Sequence, residues 1–251
     1  FRPISFAPEL GAEWRMRLKP HFEIQEIPLL AVVASREAAE SCAAALRFGK
    51  DSWLVFTSQN AARIFLQACP TDISSESLPR VACLAANTAA PFAERFMDVD
   101  FIGKGRDGEE FAEELSLRFA KEGRKQVCFL QGRLASSAPP ERLRAAGHDV
   151  REFVVYDSVP RTLSVEELNG LKSALANKDS VLLFTNAATV RALEESCGTW
   201  GLSMALFRAH PVAAIGRKTA EELRKSGFTI SFMPAEPSLD NLVDEILGTT
   251  V

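Results

Sequence analysis

The chain carries one segment twice. LVFTSQNAARIF at residues 54–65 returns as LLFTNAATVRAL at 182–193, and at this offset of 128 Ser52, Phe56, Thr57, Arg63 and Cys69 fall on Ser180, Phe184, Thr185, Arg191 and Cys197. A second offset of 131 lays VACLAANTA (81–89) on VAAIGRKTA (212–220) and DGEEFAEEL (107–115) on SLDNLVDEI (238–246). Copies this long must each close a core of similar shape, which restricts the chain to a duplicated architecture.

The copied unit reads as a strand followed by a helix. WLVF (53–56), VACL (81–84), VDFI (99–102), VCFL (127–130), VREFVVY (150–156), VLLF (181–184), VAAI (212–215) and FTISFM (228–233) are strand-like. Most lack polar alternation, as strands covered on both faces do. Helix-start signals lie between them: Ser58 before NAARIFLQA, Asp107 three residues before Glu110, and Ser164 three before Glu167 in the capping-box spacing. Pro139 and Pro140 open a further helix that Gly147 closes. Such alternation predicts an α/β protein with parallel sheets.

The order of the copies constrains the domains. GHDVREFVVYDSVP (147–160) aligns with HFEIQEIPLLAV (21–32) at an offset of 126, placing Val150, Glu152 and Tyr156 on Ile24, Glu26 and Leu30. One copy therefore ends with an element that the other carries at the chain start. The expected layout is two similar parallel-sheet α/β lobes, one inserted in the other: a discontinuous lobe of residues 1–32 and 160–251 and an inserted lobe of 36–152. A two-stranded linker at 28–35 and 153–160 would join them.

Composition narrows the function. A chain of 251 residues, 47% of them hydrophobic, can build two cores without metal or disulfide support. The net charge of −4, with no concentrated basic run, argues against a nucleic-acid partner. The apolar runs fall far short of the roughly 20 residues that span a bilayer, so no membrane partner is expected. Cys42, Cys69, Cys83, Cys128 and Cys197 form no C-x-x-C pair and read as reduced thiols of a cytoplasmic protein, with Cys83 and Cys128 acting as small buried hydrophobes.

Open parallel sheets bind ligands beyond the carboxyl ends of their strands, where the next helices begin. Thr57 with Ser58, Thr185 with Asn186, and Gly216, Lys218 and Thr219 sit at such ends, as does Thr88, the copy of Thr219. These residues serve as helix caps, as anion ligands, or as both. Two such edges facing each other would form a cleft for carboxylates or phosphates. Tyr156, the one tyrosine, either donates a hydrogen bond into that cleft or packs its ring against the hinge. GKGRDG (103–108) matches G-x-G-x-x-G, but it follows the third strand of its lobe and its copy PAEPSL has no glycine, so a loop is the better reading than a nucleotide site. His21, His148 and His210 show no metal-ligand spacing and are expected on solvent-facing loops.

In their order along the chain, LVFTSQNA, VACLAANTA, VVYDSVP, VLLFTNAATV, VAAIGRKTAEELRKSGF and PAEPSLDNLVDEI resemble the uroporphyrinogen-III synthase family from about residue 50 onward. The resemblance implies two α/β lobes on a two-stranded linker and a monomeric lyase of tetrapyrrole and heme biosynthesis that uses no cofactor. Its substrate would be a linear tetrapyrrole, hydroxymethylbilane, closed to uroporphyrinogen III with loss of water and inversion of ring D. Such an enzyme works mainly by folding a reactive substrate into the right geometry. The implied carboxylate ligands are Thr57, Ser58, Thr88, Thr185, Asn186, Gly216, Lys218 and Thr219, and Tyr156 matches the tyrosine that assists departure of the hydroxyl. Two positions depart from the family pattern: Ala7 stands where an arginine is usual and Ala85 where a glycine is, although its copy Gly216 is kept. The alternative is a bilobed tetrapyrrole- or anion-binding module of this fold without catalysis.

Overall fold

The computed structural model describes residues 2–6, 16–17, 19–20, 23–105, 107–236 and 238–248, so Ala7 and His21 lie outside the described residues. In chain order the elements are β1 (Arg2–Ser5), β2 (Gln25–Glu26), β3 (Leu30–Ala34), α1 (Ala38–Leu46), β4 (Trp53–Phe56), α2 (Gln59–Ala68), β5 (Arg80–Cys83), α3 (Ala86–Ala93), β6 (Phe101–Ile102) and α4 (Gly108–Phe119). There follow β7 (Gln126–Gly132), α5 (Ala138–Ala145), β8 (Asp149–Pro160), α6 (Val165–Ala176), β9 (Ser180–Phe184), α7 (Ala187–Cys197), α8 (Met204–Arg208), β10 (Val212–Ala214), α9 (Arg217–Lys225), β11 (Ile230–Phe232) and α10 (Leu239–Gly248). The chain divides into two compact units, Phe1–Ala31 with Val159–Val251, and Val32–Ser158.

Each unit is built on one sheet. The strand orders are β11-β10-β9-β1-β2 and β3-β8-β7-β4-β5-β6. β4 pairs in parallel with β5 and β7, and β9 pairs in parallel with β10 and β1. The registers match as well. Leu54 lies opposite Val81 and Cys128, while Leu182 lies opposite Val212 and Ile4. Glu152 faces Phe129 as Glu26 faces Ser5.

The central strands lack polar alternation because both of their faces are covered. In β4, Leu54 and Phe56 enter one core with Phe65 and Phe92, while Trp53 and Val55 enter another with Phe111, Phe119 and Phe129. In β9, Leu182 and Phe184 pack with Phe6, Phe207 and Phe228, while Val181 and Leu183 pack with Leu242, Val243 and Ile246. Each such side chain, once fully buried, contributes about 1.5–3 kcal/mol. The helix starts read from sequence have a physical basis: Ser164 accepts from the Glu167 N–H at 3.1 Å while the Glu167 carboxylate accepts from the Ser164 N–H at 2.8 Å. Among the described residues no helix is long and apolar enough to cross a membrane.

The repeated arginine ties helices together. Arg63 on α2 makes two 2.9 Å bonds to Glu94, the residue after α3. Its copy Arg191 on α7 donates to Glu222 of α9 at 3.0 Å. The Arg191 hydrogen bond, followed by the charges of Arg191 and Lys225, holds the Glu222 carboxyl below the usual carboxylate range. A carboxylate depressed in the folded state stabilises it above the unfolded-state pKa, and that contribution is lost as pH falls through the folded value. We therefore expect Glu222→Gln to lower the urea midpoint at neutral pH, with the gap to wild type closing as pH falls below the ordinary carboxylate range; a gap unchanged in acid would show that the ion pair contributes nothing.

Candidate active site

In the unit Val32–Ser158 the chain leaves β4 at Phe56 and turns through Thr57 and Ser58 into α2. Ser58 is extended, with φ −143° and ψ 133°, and its Oγ accepts from the Asn60 N–H at 3.2 Å, capping the helix. The Tyr156 hydroxyl donates to the same Oγ at 3.1 Å. A hydroxyl oxygen has two lone pairs, so with two bonds accepted Ser58 keeps its own O–H to give. The Thr57 hydroxyl, half-buried beside it, has no hydrogen-bond partner among the described residues.

Tyr156 reaches Ser58 because Gly132 makes room. The two residues are cross-strand partners at the end of β7, where the register shifts. A Cβ at position 132 would lie 2.6 Å from the Tyr156 ring carbons Cε2 and Cζ and 3.0 Å from its hydroxyl, so only glycine allows this approach. The ring packs against the core that contains Phe56, Phe65 and Leu130. Within this unit the ring packs on that core and the hydroxyl is held as a donor to Ser58.

A charged clamp flanks the phenol. Arg133 follows Gly132, and its backbone N–H donates to the Tyr156 carbonyl at 3.0 Å. Its guanidinium donates to Asp157 Oδ1 at 2.7 Å and to Glu37 Oε2 at 3.0 Å, joining the end of β7 to β8 and to the chain after β3. A backbone hydrogen bond and then the Arg133 guanidinium hold the Glu37 carboxyl below its usual range, and the two carboxylates raise Arg133, with Asp157 contributing first. Sequence patterns did not single out Gly132, Arg133 or Glu37, because the contacts form across strands rather than along one.

The next helix start in this unit is open. Ala85 precedes α3 at φ −154° and ψ 173°, an extended conformation that any residue adopts, so alanine in place of glycine adds no backbone strain. No side chain caps this helix, and the N–H groups of Ala86, Asn87 and Thr88 have no acceptor among the described residues. Thr88 itself is only 3% exposed, and its hydroxyl donates to Asn87 Oδ1 at 3.5 Å.

The other unit repeats the pattern. The Thr185 hydroxyl is half-buried without a partner among the described residues, and Asn186 caps α7. Asn186 Oδ1 accepts from the Thr189 N–H at 2.8 Å and from its hydroxyl at 2.9 Å, which leaves the amide NH2 as a donor. Gly216 starts α9 without a side-chain cap, and the N–H groups of Arg217, Lys218 and Thr219 have no acceptor among the described residues. Lys218 is exposed, whereas Thr219 is buried at 4%. Each unit therefore has one capped and one open helix start at neighbouring strand ends, and open starts favour anions through free N–H groups and the helix dipole.

Other candidates resolve differently. Asp107 Oδ1 accepts from the Glu109 and Glu110 N–H groups at 3.0 Å each, so a carboxylate already fills the donors that a nucleotide phosphate would need in GKGRDG. Gly103 is required by the close approach of Phe111 and of the Leu84 carbonyl. The expectation that the histidines face solvent fails for two of them: His148 and His210 are buried at 9% and 8%. Each follows a helix end and turns inward. His148 meets the ring of Phe119 edge-on, and His210 Nε2 pairs with the Leu175 carbonyl at 3.1 Å. All five cysteines are free and buried, and burial pushes the thiols of Cys42, Cys83 and Cys128 up to about 12. Among the described residues no cluster of His, Cys, Asp or Glu could hold a metal ion.

A family model described as uroporphyrinogen-III synthase HemD matches residues 19–248. This chain belongs to the uroporphyrinogen-III synthase family. The family's members are cyclising enzymes of the lyase class. The uroporphyrinogen-III synthase of Chlorobaculum parvum is 25% identical over 190 residues, 74% of each chain. The chloroplastic uroporphyrinogen-III synthase of Oryza sativa subsp. japonica is 25% identical over 238 residues, 91% of this chain and 73% of that one. The crystal structure of the Helicobacter pylori uroporphyrinogen-III synthetase is similar at a TM-score of 0.68 and 19% identity, covering 99% of both chains, a likeness of fold.

Within this family framework the Tyr156 environment can be checked directly, because the chain has a single tyrosine. Ring-labelled tyrosine gives one set of NMR signals. Ser58→Ala should shift them by removing the acceptor, and Gly132→Ala should shift them further while costing about 1–3 kcal/mol of stability through overpacking. Signals unmoved in both variants would show that the ring does not occupy this seat.

Proposed function

We propose that this chain closes hydroxymethylbilane to uroporphyrinogen III, with loss of water and inversion of ring D. The observation that carries the assignment of roles is the Tyr156 hydroxyl held 3.1 Å from Ser58 Oγ at the end of β4, with the open start of α3 following the neighbouring strand β5. Tyr156 turns its proton from Ser58 to the departing hydroxyl, a general-acid step. Ser58 keeps the phenol within reach and, with its own O–H free, donates to the same oxygen or to a neighbouring carboxylate. The remaining donors grip carboxylates: Thr57 and the α3 start in one unit, and Thr185, Asn186, Gly216, Lys218 and Thr219 in the other. We read the two compact units as the two similar lobes of this fold, one threaded into the chain of the other.

Hydroxymethylbilane closes unaided to the symmetric isomer, so product identity is the decisive measurement. Supplied with this substrate, the protein should shift the oxidised product from isomer I to isomer III on chromatography. Tyr156→Phe should keep its fold and lose about 100-fold in turnover, the low end of general-acid contributions. Tetrapyrrole binding without an isomer shift would instead identify a non-catalytic module, and an unchanged rate in Tyr156→Phe would remove the acid from Tyr156.

A further inference from the structure

We propose that the unit Val32–Ser158 carries a second anion site, at the opposite end of its sheet from Tyr156, suited to a small planar aromatic anion such as an aryl phosphate. The site arises from a mismatch of lengths. Helix α1 has only nine residues and stops at Leu46, whereas β8 has twelve. Strand β3 does not cover the start of β8 either, because its end hydrogen-bonds at Val155, through the Ser35 N–H at 3.0 Å. The first residues of β8 are therefore left open on the face that α1 would otherwise cover.

A hollow of about 500 Å³ lies there, lined by Ala44, Arg47, Phe48, Arg151 and Phe153 among others. It shares Gly49 and Gln126 with a second hollow of about 310 Å³ that adds Asp51, Arg124 and Lys125. All of these residues belong to one unit. The apolar walls are flat: Phe48 and Phe153 meet edge-on at 6.2 Å, and the Arg151 guanidinium sits 5.3 Å over the Phe48 ring. A planar ligand can take up the same stacking and keep its anionic group beside guanidinium.

The charge is uncompensated. Arg47, Arg124 and Arg151 have no ion pair among the described residues, whereas Lys125 is held by Glu122 at 3.2 Å. The acid in the wall, Glu152, is already engaged by Arg144 at 2.6 Å and by the Gln131 amide at 2.8 Å. Asp51 is the one lining carboxylate that lacks an ion pair among the described residues. Arg47 has an alternative explanation, since it follows the carboxyl end of α1 where a cation complements the helix dipole. Arg124 and Arg151 lie on no helix, and that explanation does not reach them. In a chain of net charge −4, three arginines without ion pairs among the described residues line two adjoining hollows, one of them stacked on Phe48, and form a recognition surface for anions with a flat apolar body.

Calorimetric titration of the full chain with 1-naphthyl phosphate and with inorganic phosphate tests this site. Naphthyl phosphate should bind more tightly than phosphate. Arg124→Ala combined with Arg151→Ala should weaken both at least tenfold, about 1.4 kcal/mol, and Phe48→Ala should weaken only the naphthyl ester. Arg124→Ala alone disturbs no stacked ring and keeps the test valid if the double variant fails to fold. Tyr156→Phe and Lys218→Ala should leave the naphthyl phosphate affinity unchanged, since the helix starts offer no flat apolar wall. The proposal is overturned by absence of naphthyl phosphate binding at millimolar probe, by naphthyl phosphate affinity unchanged on loss of both arginines, or by naphthyl phosphate binding abolished with Lys218→Ala.

Discussion

Two strands, β4 and β9, are covered by apolar side chains on both faces, and the organisation of each unit follows from that burial. A strand with no solvent face needs helices on both sides. Short connections between parallel strands and such helices oblige each helix to start at the same end of the sheet. The strand ends at Phe56 and Phe184 are thereby fixed by aromatic packing, at 5.4 Å to Phe65 and 5.0 Å to Phe6 respectively. Whatever follows them inherits a defined position. Thr57 and Thr185 come next, and among the described residues their hydroxyls have no partner.

Duplication separates what holds the fold from what remains available. Arg63 and Arg191 spend their charge on Glu94 and Glu222. Cys69 and Cys197 are buried at the ends of α2 and α7, and Ser52 and Ser180 bond to nearby carbonyls. These copied residues are structurally occupied. Thr57 and Thr185, the NH2 of Asn186 and the open starts of α3 and α9 are copied or parallel features left unspent. Under the proposed reading the Thr57 and Thr185 hydroxyls, which have no partner among the described residues, are donors left for the substrate.

Much of the fold class was legible because β4, β5, β9 and β10 are continuous apolar runs, and because Ser58, Asp107 and Ser164 announce the helices they cap. Strand β1 was harder: RPIS has no apolar period, and its place is set by Ile4 lying opposite Leu182, a partner nearly 180 residues away. His148 and His210 looked like loop residues because each follows a helix, yet tertiary packing closes over them. At the candidate site the serine and tyrosine were visible as types, but their hydrogen bond was not, since it spans residues 58 and 156. The need for Gly132 was equally hidden, because the atom that demands it belongs to another strand.

The clamp beside Tyr156 bears on how a polyanion would be oriented under the proposed reading. Arg133 is tied to the phenol's strand through the Tyr156 carbonyl, and Glu37 and Asp157 already neutralise it. A substrate carboxylate gains little there and meets two acids. The open starts of α3 and α9 carry no acid in their first turns, and Lys218 adds a positive charge at one of them. Carboxylates would therefore partition toward the helix starts and leave the phenol to the one substrate group that needs a proton rather than a counter-charge. The Tyr156–Ser58 bond suits such a role because a hydrogen bond of this kind is worth only about 0.5–1.5 kcal/mol net: enough to hold the phenol in register, and little to give up when the departing hydroxyl takes its place.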